Sequence, residues 1–388
     1  MENTTLGILP KHLWANITAD TFSLNALNAQ PVGSGLYEVS SIDRNDSGPT
    51  AYHLSPAAHT PQTNPYITSL SINFYPNESQ LIEAYKHHDI DSLNSISPDD
   101  AISLSEQGAR ILTSSLPRVF GVFFNQSENP VLAAQEVRQA LNMSVNRQYI
   151  VNNVLRGYGE PLAQAAPTNF TDLASSTIPL SGSIEAANQL LDKYGWTVGE
   201  DGIRAKKTAQ GTQRLEFSIT TGDAEELKNT ATILKEEWRK IGVDVSIKVF
   251  EGGYLNQNII RPRRYDALLF GQVVNRDLDL FAFWHSGQTV DPGLNIAQYS
   301  NKSVDVLLEN LRSVKTESDR LKLYSDLNSQ LAKDVPAVFL YSPSFIYIIP
   351  KSLNGLHLTG ISVPSERFGN IFEWYTSTDN IWKIFLNN

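Results

Sequence analysis

A chain of 388 residues is long enough for two or three domains with sizeable cores. Its 41% hydrophobic and 19% charged content is that of a folded protein, and a net charge of −10 with no basic stripe argues against a nucleic-acid surface. The absence of cysteine excludes disulfides and thiolate metal sites and is compatible with export, and no apolar run reaches the ~18–20 residues of a membrane span.

Met1 to Thr5 is acidic and polar, unlike a secretory leader. Gly33 and Gly35 around Ser34 allow a tight turn into a strand carrying Tyr37, Val39 and Ile42, with residues 52–54 as its partner. Leu70, Ile72 and Phe74 alternate as a half-buried strand, and residues 79–86 read as a helix. His87, His88, Asp89 and Asp91 follow. Adjacent histidines point apart and no ligand pair sits four residues apart on a helix, so a solvated turn is expected rather than a metal site. Pro98 opens a short helix through Leu104, and residues 111–116 lead into an apolar, aromatic strand at 118–125. Asn129 then offers an N-cap with Pro130 at the first helical position, followed by Val131, Ala134, Val137 and Leu141 near the helical period. Asn146 caps a second helix, with Ile150, Val151, Val154 and Leu155 on one side and Gly157 placed to stop it.

Residues 184–194 predict another helix, bearing Ala187, Leu190 and Leu191. The clearest pattern comes next. Leu215, Phe217 and Ile219 alternate; Asp223 is placed to cap a helix with Leu227, Ala231, Leu234, Trp238 and Ile241 on one face; Gly242 closes it, and Val243, Val245, Ile247 and Val249 alternate again. That is a βαβ unit with a parallel strand pair, and residues 265–271 supply a third, continuously apolar strand. Ligands of open α/β sheets bind beyond the carboxyl ends of strands, which singles out residues 220–223, 251–254 and 272–277. Two helices over 304–314 and 318–332 and an apolar strand near 334–341 follow. A tail bearing Val363, Phe372, Trp374 and Trp382 is expected to pack back on the first half of the chain.

The wording FFNQSENPVLAAQEVRQALNMSVNRQYIVNNVLRGYGEP resembles the extracellular solute-binding proteins of family 5, the oligopeptide- and dipeptide-binding group served by ABC importers. The likeness rests on Phe124-Asn125, Val137-Arg138-Gln139-Ala140-Leu141, Asn146-Arg147 and Gly157-Tyr158-Gly159, with Asn146 where aspartate is common. Leu6 to Leu13, Pro31 to Tyr37 and Tyr299-Ser300-Asn301 resemble further segments of that family. The resemblance implies an α/β, two-lobed periplasmic-binding-protein-like fold of type II, with mixed sheets flanked by helices. It divides the chain into a first lobe of residues 1–117 and 341–388 and a second lobe of 118–340, with crossing segments near 118–125 and 336–342. Family members carry a long section before Leu6, so the first lobe is expected to be incomplete and any secretion signal or lipid anchor to lie in that section.

The resemblance further implies a non-enzymatic function: a peptide or similar small solute is captured between the lobes by hinge closure and delivered to a membrane permease, outside the cytoplasm, by a monomer needing no cofactor. Ligand-facing candidates are Phe123, Asn125 and Tyr341 on or beside the crossings, and Gln272, Asn275, Asp277, Asp279 and Trp284 on the second-lobe loop. In peptide-binding members an aspartate of this loop pairs with the ligand's amino terminus; Asn275 stands at the matching position, and Gln272 where tryptophan is frequent. Trp284 offers a large flat face and a donor. Two alternatives remain: a sensory domain on the same fold without transport, and a hydrolase using Asp277 and Asp279 as acid and base. No GxSxG, HExxH, Walker or GxGxxG motif supports the hydrolase.

Overall fold

The computed structural model describes residues 8–58, 65–167, 180–209, 211–274, 278–358 and 360–376. Strands β1 (Tyr37–Asn45), β2 (Gly48–Pro56) and β3 (Leu70–Asn73) form an antiparallel sheet in which Val39 faces Leu54 and Ile42 faces Tyr52, the pairing expected from the alternation. Strands β4 (Leu93–Asn94), β5 (Arg110–Ser115), β6 (Arg118–Phe124) and β7 (Gly159–Pro161) belong to the principal sheet. Strands β8 (Thr197–Val198), β9 (Arg204–Thr208) and β10 (Gly211–Arg214) make a small separate one. The principal sheet is completed by β11 (Glu216–Gly222), β12 (Asp244–Phe250), β13 (Ala267–Val273) and β14 (Ala337–Ile349), and the short pair β15 (Leu353–Asn354) and β16 (Tyr375–Thr376) closes the described chain.

Counting helices of eight residues or more among those described, α1 (Glu78–Lys86) and α2 (Pro98–Glu106) accompany the early strands. They are followed by α3 (Gln135–Ser144), α4 (Arg147–Val154), α5 (Ile184–Lys193) and α6 (Glu225–Arg239), then α7 (Lys302–Ser313) and α8 (Glu317–Asp334). None of the described helices is long and apolar enough to cross a membrane.

One strand links the two halves. Residues 337–343 of β14 pair with β6 and β7, and residues 344–349 pair with β5 and, at its end, β4. The strand is therefore longer than its apolar pattern predicts, because it runs on through Ser342, Pro343 and Ser344. Proline is tolerated in a strand where the ladder is interrupted, and here Pro343 lies where β14 changes partners, two residues after a register shift at Phe339/Tyr341. The Ser342 hydroxyl donates to the Leu116 carbonyl at 2.8 Å, fastening β14 to the chain where β5 gives way to β6.

Each half carries a core on both faces of its sheet, as helices packed on either side require. Val122, Phe124 and Leu269 face the core beneath α3, α4 and α6, whereas Val119, Phe123 and Leu268 face the one beneath α7 and α8. Further along β14, Phe345, Tyr347 and Ile349 join Leu353 and Trp374, while Ile346 and Ile348 join Leu93, Ala101 and Leu104. The fold is thus α/β and two-lobed, with mixed parallel and antiparallel pairing.

The βαβ unit forms as expected: β11 and β12 run parallel with Phe217 beside Val245 and Ile219 beside Ile247. Leu227, Ala231, Leu234, Trp238 and Ile241 are all buried. Three local expectations are corrected. Asp223 does not cap α6; its N-cap position is Ala224, without a side-chain bond. The helix from Pro130 is not continuous, because Ala134 adopts an extended ψ of 117° and separates Pro130–Ala133 from α3. In the tail, Trp374 is core, but Val363 and Phe372 are about half exposed at 50% and 47%; Trp382 lies outside the described residues.

A candidate site between the lobes

Strand β6 runs antiparallel to β13, so Arg118 lies opposite Val273 and Val119 opposite Gln272. The start of β6 therefore shares a sheet edge with the carboxyl ends of β11 and β13, and the first turn of α6 rises from that same edge. Against it stand residues of the other half: Ile96 and Pro98 ahead of and at the start of α2, and Phe345 and Ile346 of β14. The gap between them is a cavity of about 200 Å³.

Its wall on the second-lobe side carries Arg118, Phe120, Leu155, Tyr158, Glu226 and Tyr341. Phe120 and Tyr341 stack at 5.1 Å between ring centroids with an interplanar angle of 16°, a flat apolar surface built from the two adjacent strands. Burial raises the Tyr341 phenol above its ordinary value, so it stays a neutral donor. Burial also raises the Glu226 carboxyl, helped by the negative charge of Glu78 facing it from α1. The Arg118 Nε is buried and has no hydrogen-bond partner among the described residues. Next to the cavity-lining Pro98 and Leu155, an ion pair joins Arg156 Nε to Asp99 Oδ1 at 2.6 Å, tying the end of α4 to the start of α2.

The expected site residues separate on this geometry. Tyr341 borders the cavity but is itself 1% exposed and part of the second-lobe core. Gln272 is buried at the same sheet edge, and its Nε2 has no partner among the described residues. Asn275 and Asp277 lie outside the described residues. Phe123 and Trp284 are core side chains, each 0% exposed, with ring centroids 6.1 Å apart. Trp284 also meets Phe339 and Tyr299 edge-on, so its indole is spent on packing and presents no face to a cleft. Asn125 stands at the far end of β6, opposite Ala267's end of β13. It donates to the Arg263 carbonyl at 2.9 Å and accepts from the Ser127 N–H, which is a loop-holding role. Asp279 accepts from the Phe281 N–H at 3.0 Å and from Arg312 Nε at 2.9 Å. It is committed to structure, which also removes one partner of the carboxylate pair that the hydrolase alternative requires.

Arg118, Phe120 and Glu226 were not singled out from the sequence. The available signals were a lone cation opening an otherwise apolar strand and a carboxylate in the first turn of a helix that follows a strand's carboxyl end. The His87–Asp91 segment is a turn in which His88 has φ 64°, and no group of three or more metal-ligating side chains is present among the described residues. A larger cavity of about 710 Å³ lies in the first lobe between β3 and β4, bounded by Tyr347, Arg367 and Trp374.

This arrangement, two sheet lobes joined by crossing strands with a cavity at the junction, defines a solute-binding protein fold. Residues 3–303 match the bacterial extracellular solute-binding proteins, family 5 (middle), and the chain belongs to that family. It is 24% identical over 377 residues to the oligopeptide-binding protein AppA of Bacillus subtilis, which covers 95% of this chain and 66% of the relative. It is also 24% identical over 357 residues to protein XP55 of Streptomyces lividans, covering 91% and 62%. The chain thus spans just under two thirds of the length of these curated relatives. Among solved structures, the substrate-binding protein CtaP of Listeria monocytogenes superposes with a TM-score of 0.80 at 18% identity, covering 95% of this chain and 72% of that one. NikZ of Campylobacter jejuni, solved with Ni(L-His), gives 0.72 at 24% identity over 95% and 72%.

Proposed function

We propose that this chain is the substrate-binding component of an ABC-type importer. It captures a peptide or similar small solute between its lobes by hinge closure and hands it to a membrane permease. The observation that carries the reading is the cavity walled by both lobes at the point where β14 passes from one to the other. Opening and closing about those crossing segments, near 118–125 and 336–342, is the hinge motion such folds use. The lobe division at 1–117 with 341–388 against 118–340 is supported by the change of strand partners at Leu116–Arg118 and at Tyr341–Ser344. AppA's name as an oligopeptide-binding protein favours a peptide cargo.

The family's extracellular character supports a site of action outside the cytoplasm, where we propose that it acts as a membrane-tethered monomer without catalytic activity, cofactor or nucleic-acid partner. Native mass spectrometry of the purified protein tests the reading. A bound solute that survives gentle desorption and is lost on unfolding is expected. A protein that carries no solute, and whose melting temperature does not move with any di- to nonapeptide mixture, would count against it.

A further inference from the structure

An ion pair spans the gap between the lobes. Arg156 Nε lies 2.6 Å from Asp99 Oδ1; Arg156 follows α4 in the second lobe, and Asp99 sits in the first turn of α2 in the first. The chain around Arg156 is anchored on both sides. Leu155 is buried in the second-lobe core beneath α4 and α6, and Tyr158 packs against the first-lobe core of Leu93 and Leu104. Between these anchors Arg156 takes φ 51° and Gly157 φ 85°. A residue with a Cβ adopts such a left-handed backbone at a cost and keeps it only where its surroundings impose it.

We infer that the Arg156–Asp99 pair is a latch that sets how much of the solute-free protein is closed. The inference rests on the solute-binding reading above and adds to it a device that acts before any solute arrives. Separating the lobes pulls the anchors of Leu155 and Tyr158 apart, so the backbone conformation that brings Arg156 to Asp99 belongs to the closed form. Across the same gap Glu226 of α6 is faced by Glu78 of α1, and these like charges oppose closure. The empty protein is therefore poised between one attractive and one repulsive contact. The attraction is a modest one. The side chains of Arg156 and Asp99 are 44% and 71% exposed, and such a pair changes an equilibrium by only ~2- to 5-fold and is screened by salt. A latch of that size tunes the closed population without barring a solute from entering.

The chain has no cysteine, so spin labels can be attached at chosen sites without background. Ser105→Cys on α2 and Glu236→Cys on α6, both at exposed positions, give one label on each lobe of the full chain. Double electron–electron resonance on the dialysed, solute-free protein then reads the closed and open populations as two distances. Asp99→Asn and Arg156→Gln should each lower the closed-to-open ratio ~2- to 5-fold, and the double variant should fall no further than either alone. Salt at about 0.5 M should lower the ratio in the otherwise unaltered protein and leave it unchanged in Asp99→Asn. A contact that merely supports the fold would lower the melting temperature without moving the distances. Distances unchanged by both single substitutions, or effects that add in the double variant, overturn the inference. If a co-purified solute is still found by native mass spectrometry in that case, the solute-binding reading stands alone; if none is found, both fall.

Discussion

The Nε of Arg147 donates to the main-chain carbonyl of Phe339 at 2.7 Å, joining the first residue of α4 to the beginning of the strand that crosses between the lobes. The same nitrogen reaches the Leu162 carbonyl at 3.1 Å, and Nη2 bonds the Asn142 side chain. With 0% exposure, this guanidinium is an internal bracket for main-chain acceptors that have no water to turn to. Burial lowers its pKa to about 10, against the opposing pull of Glu237, so it remains charged at neutral pH.

Arg147→Met is therefore expected to destabilise the fold by about 3 kcal/mol, since it orphans several buried acceptors at ~1–3 kcal/mol each with partial relaxation. Urea unfolding at pH 7 measures it. A loss below about 1 kcal/mol would mean that the carbonyls find other donors.

Gly121 lies on β6 against β14, and a Cβ there would sit 2.8 Å from the Val338 carbonyl oxygen, a backbone atom that cannot swing aside. Gly121→Ala should cost about 2 kcal/mol through overpacking. The strain should loosen the crossing pair, seen as faster amide exchange at Val122 and Phe339 than in the unaltered protein.

Trp284 distinguishes packing from recognition. As a core side chain among Phe123, Tyr299 and Phe339, its change to alanine should cost ~3–5 kcal/mol of stability. Trp284→Phe should recover most of that cost. If Trp284→Ala left the melting temperature unchanged and affected only solute affinity, the indole would be a ligand contact after all.

Glu226 makes stability depend on pH. Its carboxyl is raised in the folded protein by burial and then by Glu78, so the folded state favours the protonated form. The sign follows from linkage: the stabilising contribution is complete below the unfolded carboxyl value and is lost as pH rises through the elevated folded value. Glu226→Gln is thus expected to raise the melting temperature relative to the unaltered protein at pH 8 and to leave it nearly unchanged at pH 3.5. A difference that does not vary between these pH values would show that the carboxyl is not strained by its surroundings.

Much of the architecture was legible because it depends on local periodicity. The alternation at Phe217 and Ile219, the helical stripe from Leu227 to Ile241 and the renewed alternation at Val245 each bury one face, so the βαβ unit with its parallel strand pair follows from the sequence. Caps were readable where a side chain bonds its own neighbours: Asn129 accepts from Val131 N–H and Asn146 from Tyr149 N–H. Asp223 failed the same test because the helix begins at Glu225, two residues on, with Ala224 in the cap position.

The site was less legible. A loop position after β13 pointed to Asp279 and Trp284, but whether such a side chain faces a cleft or a core depends on what packs against it. Asp279 is claimed by Arg312 on α7, and Trp284 by the aromatic residues of β6, β14 and the 299 loop. Nothing near either residue in sequence announces those partners. Conversely, Arg118 and Glu226 are more than a hundred residues apart and share a wall only because β6 inserts antiparallel between β13 and β14.

The sequence by itself determined most of the longer strands and helices, that the second lobe is built on a parallel βαβ core, and through its wording which family the chain belongs to. Those features are written in side-chain order, because burial on a helix or strand repeats at a fixed interval. Only the tertiary structure decided where β14 changes partners, which aromatic residues border the cavity and which are packed away from it, and which charges meet across the gap. Each of these is a distance between residues far apart in the chain, set by packing and by the exclusion of water rather than by any repeat along it.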